Sequence, residues 1–359
     1  MLSIAARSSP KKRFKGLNQP PHYSSPTVQY TYERDYTFQC DSRVSIGTLD
    51  GRISVPYQGY EKHLALIRHG ASIGDAKLWY DTPKKCFYLL VSLKVDVPES
   101  GCEDLGEVVG VDVGIRYLAV VSTSTGKASF YSGSQVRHRA NHYARLRKRL
   151  QQKGTRGAKR RARRIEQRER RLKLQANHTI AKQIITQHPH ALIGLEQLTD
   201  IRERTKRRKR KRKKNGKGYE RVSPKARKAN RVYSQWSFAQ LHALISYKAA
   251  LVGSQAIKVD ADYTSKACPR CGHTANGNRP NKGLLFVCQQ CPYILHADLV
   301  GARNITMRTL VLRQDWSTTG SLSMTPDTSD NEAKAARLRR YAELRWSPDA
   351  SLRSESGGD

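Results

Sequence analysis

The chain has 359 residues, 38% of them hydrophobic, and sixty-six lysines and arginines against thirty acidic residues give it a formal net charge of +36. That length can bury a sizeable core in more than one domain, and that charge points to a polyanionic partner, nucleic acid ahead of an anionic membrane surface. No apolar run reaches the roughly 18 residues that cross a bilayer, and the start MLSIAARSSPKKRFK lacks a signal-peptide core, so the sequence predicts a soluble, cytoplasmic protein with no membrane partner.

Residues 1–35 hold Pro10, Pro20, Pro21, Pro26 and the basic run Lys11–Arg13, and are expected to form an irregular basic arm. From residue 36 the pattern turns to short β-prone runs: TFQC, RVSIGTL, RISVPY, AKLWYD and CFYLLVSLKVDV, with HLALIRHG as a further strand. Asp50-Gly51, Gly59, Gly70 and Pro83 punctuate them at the spacing of a small antiparallel sheet or barrel. Trp79, Tyr80, Phe87 and Tyr88 are expected in its core rather than stacked on bases. Cys40, Cys86 and Cys102 have no close spacing and suit free thiols in a reducing compartment.

EVVGVDVGIRYLAVVSTSTGKASFYSG reads as three strands opening an α/β domain, the first ending near Asp112. Gly110 and Gly114 flank that aspartate and are expected to leave room for a metal or a phosphate near the backbone. Residues 135–187 carry two long helical patterns broken near Gly154 and Gly157. Their polar faces are so crowded with cations that like charges repel at i,i+3 and i,i+4, a repulsion that an RNA or DNA backbone would relieve. The expected contacts are Arg145, Arg147 and Lys148 in the first helix and Arg160, Arg161 and Arg164 in the second.

ALIGLEQL follows as an apolar strand ending in Glu196, a carboxylate that must be paired, protonated or metal-bound if buried. Lys206 to Lys214 is nine consecutive basic residues, among them Arg207, Arg208, Lys209 and Arg210. Such a run cannot pack a core and is expected to be a loop that orders on nucleic acid. Trp236, Phe238, Leu241, Ile245, Ala249 and Val252 then fit one face of a helix, and AIKVDADYTS a strand.

Cys268, Cys271, Cys288 and Cys291 form two C-x2-C turns sixteen residues apart, the spacing of a four-cysteine zinc ribbon with no open position for catalysis. Seven residues after the last cysteine, Asp298 opens a helical run. Asp112 and Glu196 end apolar strands and Asp298 starts a helix, so the three can converge on one sheet edge. Their hard oxygens suit two magnesium or manganese ions clamping a phosphodiester displacement. From Trp316 onward, a Ser/Thr-rich stretch, the short basic helix pattern NEAKAARLRRYAELRW and SPDASLRSESGGD are expected to be a mobile tail.

GVDVGIRYLAV, LIGLEQL, the CPRC and CQQC turns and ADLVGARNI, in that order, resemble the RuvC-like nuclease blocks of the TnpB (OrfB) family of insertion-sequence proteins, relatives of type V CRISPR effectors. The resemblance covers roughly residues 36 to 310, with Pro292 and His296 departing from the family's usual glycine and asparagine. It implies an α/β, RNase H-like (RuvC-like) nuclease domain over 106–267 and 298–315 with a zinc ribbon inserted at 268–297. A small antiparallel β, wedge-like barrel over 36–105 precedes it, and 316–359 is the tail. By the same resemblance the N-terminal half of the wedge and the helical recognition lobe are missing. Carried over by motif, Asp112, Glu196 and Asp298 are the catalytic, magnesium- or manganese-binding set, with Arg303 and Asn304 supporting them. The implied activity is RNA-guided cleavage of DNA, with a guide RNA from the transposon end, a DNA target and a separate transposase as partners. A DNA- or RNA-binding module without cleavage competes with this reading, and a strand-transferring transposase ranks third.

Overall fold

The computed structural model of the chain describes residues 27–81, 84–97, 100–198, 210–212, 219–221, 238–280, 283–327 and 330–347. The chain divides into two compact units, one ending at Asp96 and the other starting at Val97. Ser100 and Leu105, expected in the N-terminal domain, go with the second unit: the Ser100 hydroxyl donates to the Gly253 carbonyl, and Leu105 packs on Val108, Leu192 and Ile257.

The first unit runs β1 (Thr27–Tyr30), β2 (Tyr36–Gln39), β3 (Arg43–Thr48), β4 (Gly51–Pro56), α1 (Glu61–Arg68), β5 (Ser72–Asp81) and β6 (Cys86–Lys94). Two three-stranded antiparallel sheets result, ordered β1-β5-β6 and β2-β3-β4. Tyr36, Val44, Ile46 and Ala76 form their buried core, and the Tyr36 hydroxyl donates to the Gly74 carbonyl. Trp79 and Tyr88 are register partners with stacked rings, a cross-strand pair of the stabilising kind. Two expectations are corrected. Part of the N-terminal arm, Thr27–Tyr30, is a strand paired with β5, because β-branched and aromatic residues there suit an edge. HLALIRHG lies in a helix rather than a strand: Leu64 and Ile67 fall on one helical face, and Glu61 opens the helix and pairs with Arg68 in its last turn.

The second unit is α/β. In chain order it holds β7 (Glu107–Asp112), β8 (Tyr117–Thr123), β9 (Ala128–Ser132), α2 (Ser134–Lys153), α3 (Arg156–Gln187), β10 (Ala191–Glu196), β11 (Arg210–Arg212), β12 (Tyr219–Arg221), α4 (Phe238–Ala250), β13 (Gln255–Val259), β14 (Leu285–Val287), β15 (Ile294–His296), α5 (Ala297–Thr319) and α6 (Asn331–Ala342). Five strands make one sheet in the order β13-β10-β7-β8-β9. β13, β10 and β7 are parallel, while β8 runs antiparallel to β7 and β9 to β8. The break near Gly154 is confirmed: Gly154 turns the chain with φ +66°, and Thr155 caps α3 by accepting from the Ala158 N–H.

Strand periodicity sorts the sheet's side chains by face. Val109, Val111, Ile193 and Leu195 point to one face, where Ile180, Ala181 and Ile184 of α3 and Leu241, Ile245 and Ala249 of α4 close the main core. Val108, Gly110 and Asp112, with Leu192, Gly194 and Glu196, alternate onto the opposite face. Helix α5 covers that face, with Leu299 and Ala302 packing on Val120. Gly110 and Gly194 are register partners, and no side chain fits at either position. A Cβ at Gly110 would lie 2.4 Å from the Thr306 backbone nitrogen, and one at Gly194 would lie 1.8 Å from Thr309 Oγ1. The room that Gly110 was expected to leave near the backbone is thus filled by α5 itself, two residues before the Asp112 carboxylate. At Gly114 a Cβ would press on the Tyr117 carbonyl.

His242 of α4 is buried, and its Nε2 has no hydrogen-bond partner. Burial, with the Lys258 charge adding, pushes its pKa down to about 4. The folded chain therefore keeps His242 neutral, while the unfolded chain takes up a proton near pH 6.5. A stability contribution complete above pH 6.5 is lost as the pH falls toward 4, worth roughly 3 kcal/mol by linkage. The urea midpoint of wild type should therefore drop more between pH 7 and 4.5 than that of His242→Leu; equal drops would refute this account.

Candidate functional site

Asp112 and Glu196 lie at the C-terminal ends of neighbouring parallel strands, each two residues beyond the paired glycines and each on the α5 face. Asp298 sits in the first turn of α5, where β15 leads directly into the helix. The helix reaches Asp112 through Gly301: a Cβ there would lie 2.8 Å from Asp112 Oδ2. All three carboxylates are half-buried. Burial pushes the Asp112 carboxyl well above its usual range, and the charges of Glu196 and Asp298 push it further. Glu196 is also raised by burial, against the stabilising bond from Thr264.

Neighbouring groups hold the carboxylates in place. The Thr264 hydroxyl donates to Glu196 Oε1 at 2.5 Å, and Asn304 of α5 ties that loop down by donating to the carbonyls of Thr264 and Ala267. His296 caps α5, its Nδ1 accepting from the Asp298 N–H at 3.3 Å. Arg279 brings its guanidinium within 3.5 Å of Asp298 Oδ1, while its Nε is buried with no hydrogen-bond partner. Arg279 and Thr264 lie in no motif the sequence offers; only the fold brings them here. Arg303 faces away, donating to the Tyr293 hydroxyl and stacking on Trp346.

Carboxylates that repel one another this strongly, with only the Arg279 and Arg308 charges set against them, form a donor set suited to a hard divalent cation. They converge more loosely than the cysteines. Among the described residues, Cys268, Cys271, Cys288 and Cys291 are the one group of three or more such side chains whose ligand atoms all lie within 4.8 Å of one another. Sγ of Cys268 is 3.7 Å from that of Cys291, and Sγ of Cys271 is 3.5 Å from that of Cys288. Thiolates around a tetrahedral zinc stand about 3.8 Å apart, from a Zn–S bond of roughly 2.3 Å, so the cluster fits a metal of that kind. The Cys291 and Gln290 N–H groups point at Cys288 Sγ. Buried Asn278 joins the two cysteine turns, donating to the carbonyls of Lys266 and His273 and accepting from the Gln289 N–H.

Of the expected nucleic-acid contacts, Arg145, Lys148, Arg160, Arg161 and Arg164 are exposed along α2 and α3. Arg147 is turned inward, 2.6 Å from buried Glu169, which also takes Lys173 at 2.7 Å. Lys206, Arg207, Arg208 and Lys209 lie outside the described residues, and Arg210 starts β11.

Residues 92–199 match a family model described as "Probable transposase" (OrfB_IS605), and residues 238–305 match one described as "Cas12f1-like, TNB domain". The three carboxylates and four cysteines all fall inside these two segments. In these segments the chain is similar to the OrfB and Cas12f proteins. It is 24% identical over 250 residues to the CRISPR-associated endodeoxyribonuclease Cas12f1 of Sulfoacidibacillus thermotolerans, covering 66% of this chain and 53% of that protein. It is 28% identical over 202 residues to the putative RNA-guided DNA endonuclease InsQ of Escherichia coli (strain K12), covering 55% and 48%. The chain thus spans about half the length of these curated relatives. A cryo-EM structure of a CRISPR-Cas12f ternary complex aligns with a TM-score of 0.42 at 18% identity, over 83% of this chain and 62% of that one. The resemblance read from the motifs stands.

Glu169 of α3 is nearly enclosed and takes two cations, Arg147 across from α2 and Lys173 four residues on in its own helix. Glu169→Gln should therefore destabilise the chain by about 3 kcal/mol, the usual cost of breaking a buried ion pair from one side. Arg147→Ala should act in the same direction, read as a fall in the urea midpoint.

Proposed function

We propose that the chain is a transposon-associated, RNA-guided DNA endonuclease with an RNase H-like (RuvC-like) nuclease unit and a preceding wedge-like β barrel. One observation carries the reading: Gly110-Val111 and Gly194-Leu195 lie side by side in register, so that Asp112 and Glu196 follow at one strand end, where the charges of Glu196 and Asp298 both act on Asp112. Two strand-end carboxylates and a third from the covering helix suit metal-dependent phosphodiester hydrolysis. The printed names of the relatives support it, since both describe DNA-cleaving enzymes.

In this reading Asp112, Glu196 and Asp298 hold magnesium or manganese. The chemistry such ions supply when bound is activation of the attacking water and stabilisation of the leaving 3′ oxygen. The chain's own groups do the rest. Thr264 fixes the rotamer of Glu196, His296 fixes the first turn of α5 and hence Asp298, and Arg279 offers a positive charge beside Asp298, suited to a phosphate oxygen. A structural zinc in the four-cysteine site would hold the ribbon that carries Arg279. The exposed cations of α2 and α3, and the basic run 206–214, are the surfaces for guide RNA and target DNA. The setting is the cytoplasm, with a separate transposase joining transposon ends.

The deciding experiment compares the wild-type chain and Asp112→Ala, each copurified with RNA from its own locus, on labelled DNA in magnesium. Wild type should cut and Asp112→Ala should not, with nucleic-acid binding equal in both. Cutting by the variant sinks the assignment. Binding by both with cutting by neither transfers the chain to the competing class of binding modules without cleavage.

Cys271→Ser should lower zinc from one ion per chain, measured by elemental analysis, and reduce cutting together with it. Full zinc occupancy in that variant would contradict the ligand set.

A further inference from the structure

The chain beyond α5, expected as a mobile tail, folds back instead. α5 itself runs on to Thr319, and α6 with residues 343–347 crosses behind the acidic centre. Its first contact is Asp260, the residue after β13, whose side chain is fully buried. Arg337 meets it at two points, Nε to Oδ2 at 2.9 Å and Nη2 to Oδ1 at 3.4 Å, and also donates to the Asp327 carbonyl. The second contact is Arg308 of α5, which has the Tyr341 ring 4.6 Å from its guanidinium carbon. Arg308 in turn donates to the backbone carbonyls of Asp260 and Asp262. The third is the first cysteine turn: the Trp346 N–H donates to the Pro269 carbonyl, and a Cβ on Gly272 would lie 2.4 Å from the Ala342 carbonyl oxygen.

Thr264, the donor to Glu196, lies between the first and third of these contacts. Val259, the residue before Asp260, is the register partner of Glu196. The segment 260–272 that holds Glu196 is therefore fastened at both ends by the C-terminal stretch. An exposed ion pair could not do this, since such pairs contribute little. Asp260 is enclosed, so removing Arg337 leaves a buried charge without its partner and forces the segment to rearrange.

We propose that residues 330–347 form a strap that positions the Glu196 carboxylate and the first cysteine turn, with Arg337 on Asp260 as its pin. Arg337 is a positioning residue, acting through Asp260 and Thr264. The proposal rests on the reading of Glu196 as a metal-holding carboxylate, and its test separates the two.

The test uses the full chain with Arg337→Ala and with Arg337→Lys, which keeps the charge but loses the fork. Amide hydrogen exchange over 260–272 should quicken at least roughly tenfold in Arg337→Ala, with β7 and β8 unchanged, and return most of the way in Arg337→Lys. Manganese affinity, followed by calorimetric titration, should fall roughly tenfold in Arg337→Ala, as when a group supporting a metal ligand is lost, and recover in Arg337→Lys. Unchanged exchange in Arg337→Ala overturns the strap, whether or not the chain cuts DNA. Faster exchange with unaltered manganese affinity overturns the positioning of Glu196. Equal manganese binding by wild type and Asp112→Ala would instead defeat the nuclease reading, and the exchange result alone would then judge the strap.

Discussion

Helix α5 lies on the sheet at a distance that only glycine permits. Its backbone at Thr306 occupies the place of a Gly110 side chain, and Thr309 that of a Gly194 side chain. Because strand residues alternate between faces, the glycines that admit the helix and the carboxylates two residues on must share its side. The sheet therefore delivers Asp112 and Glu196 to the helix that carries Asp298, and close packing and the acidic group arise from one constraint.

That constraint gathers charge that would otherwise disperse. Burial and two like charges hold Asp112 far from its ordinary ionisation, and the fold tolerates the repulsion because β-ladder pairing and the α5 contact fix the backbone on both sides. The cysteine ribbon enters through this electrostatics as well as through connectivity. It supplies Arg279 opposite Asp298, and its last strand, β15, ends at the residue that caps α5. A ribbon whose four-cysteine cluster came apart would displace a countercharge and a helix start together.

Much of this was legible in the sequence. The cysteine turns announce themselves by spacing, and the apolar runs ending in Asp112 and Glu196 mark strand ends. The Gly-x-acid pattern repeats, Gly110 to Asp112 and Gly194 to Glu196. Its glycines admit a helix rather than a metal, which becomes visible only once the two strands are known to pair. Arg279 and Thr264 could not be found by motif, because their relation to the carboxylates is set by tertiary packing across the ribbon and the 260–264 loop. Arg147 was misassigned among the surface cations for a similar reason. A run of like charges does not reveal which member meets the buried Glu169 of α3. The β1 strand and helix α1 lie in short runs of weak periodicity, where pairing with a neighbouring strand or one half-buried helical face decides the outcome.

The order of the elements along the chain has a consequence for synthesis. β7, β8 and β10 are complete by residue 196, yet the helix that covers their second face begins at residue 297. A growing polypeptide therefore displays Val108, Val120 and Leu192 uncovered while about a hundred further residues are added, a state prone to association. It also holds only two of the three carboxylates throughout that interval. A product that stops in that interval has an uncovered sheet and no assembled acidic group, and the emergence of α5 covers the sheet and completes the group in one event.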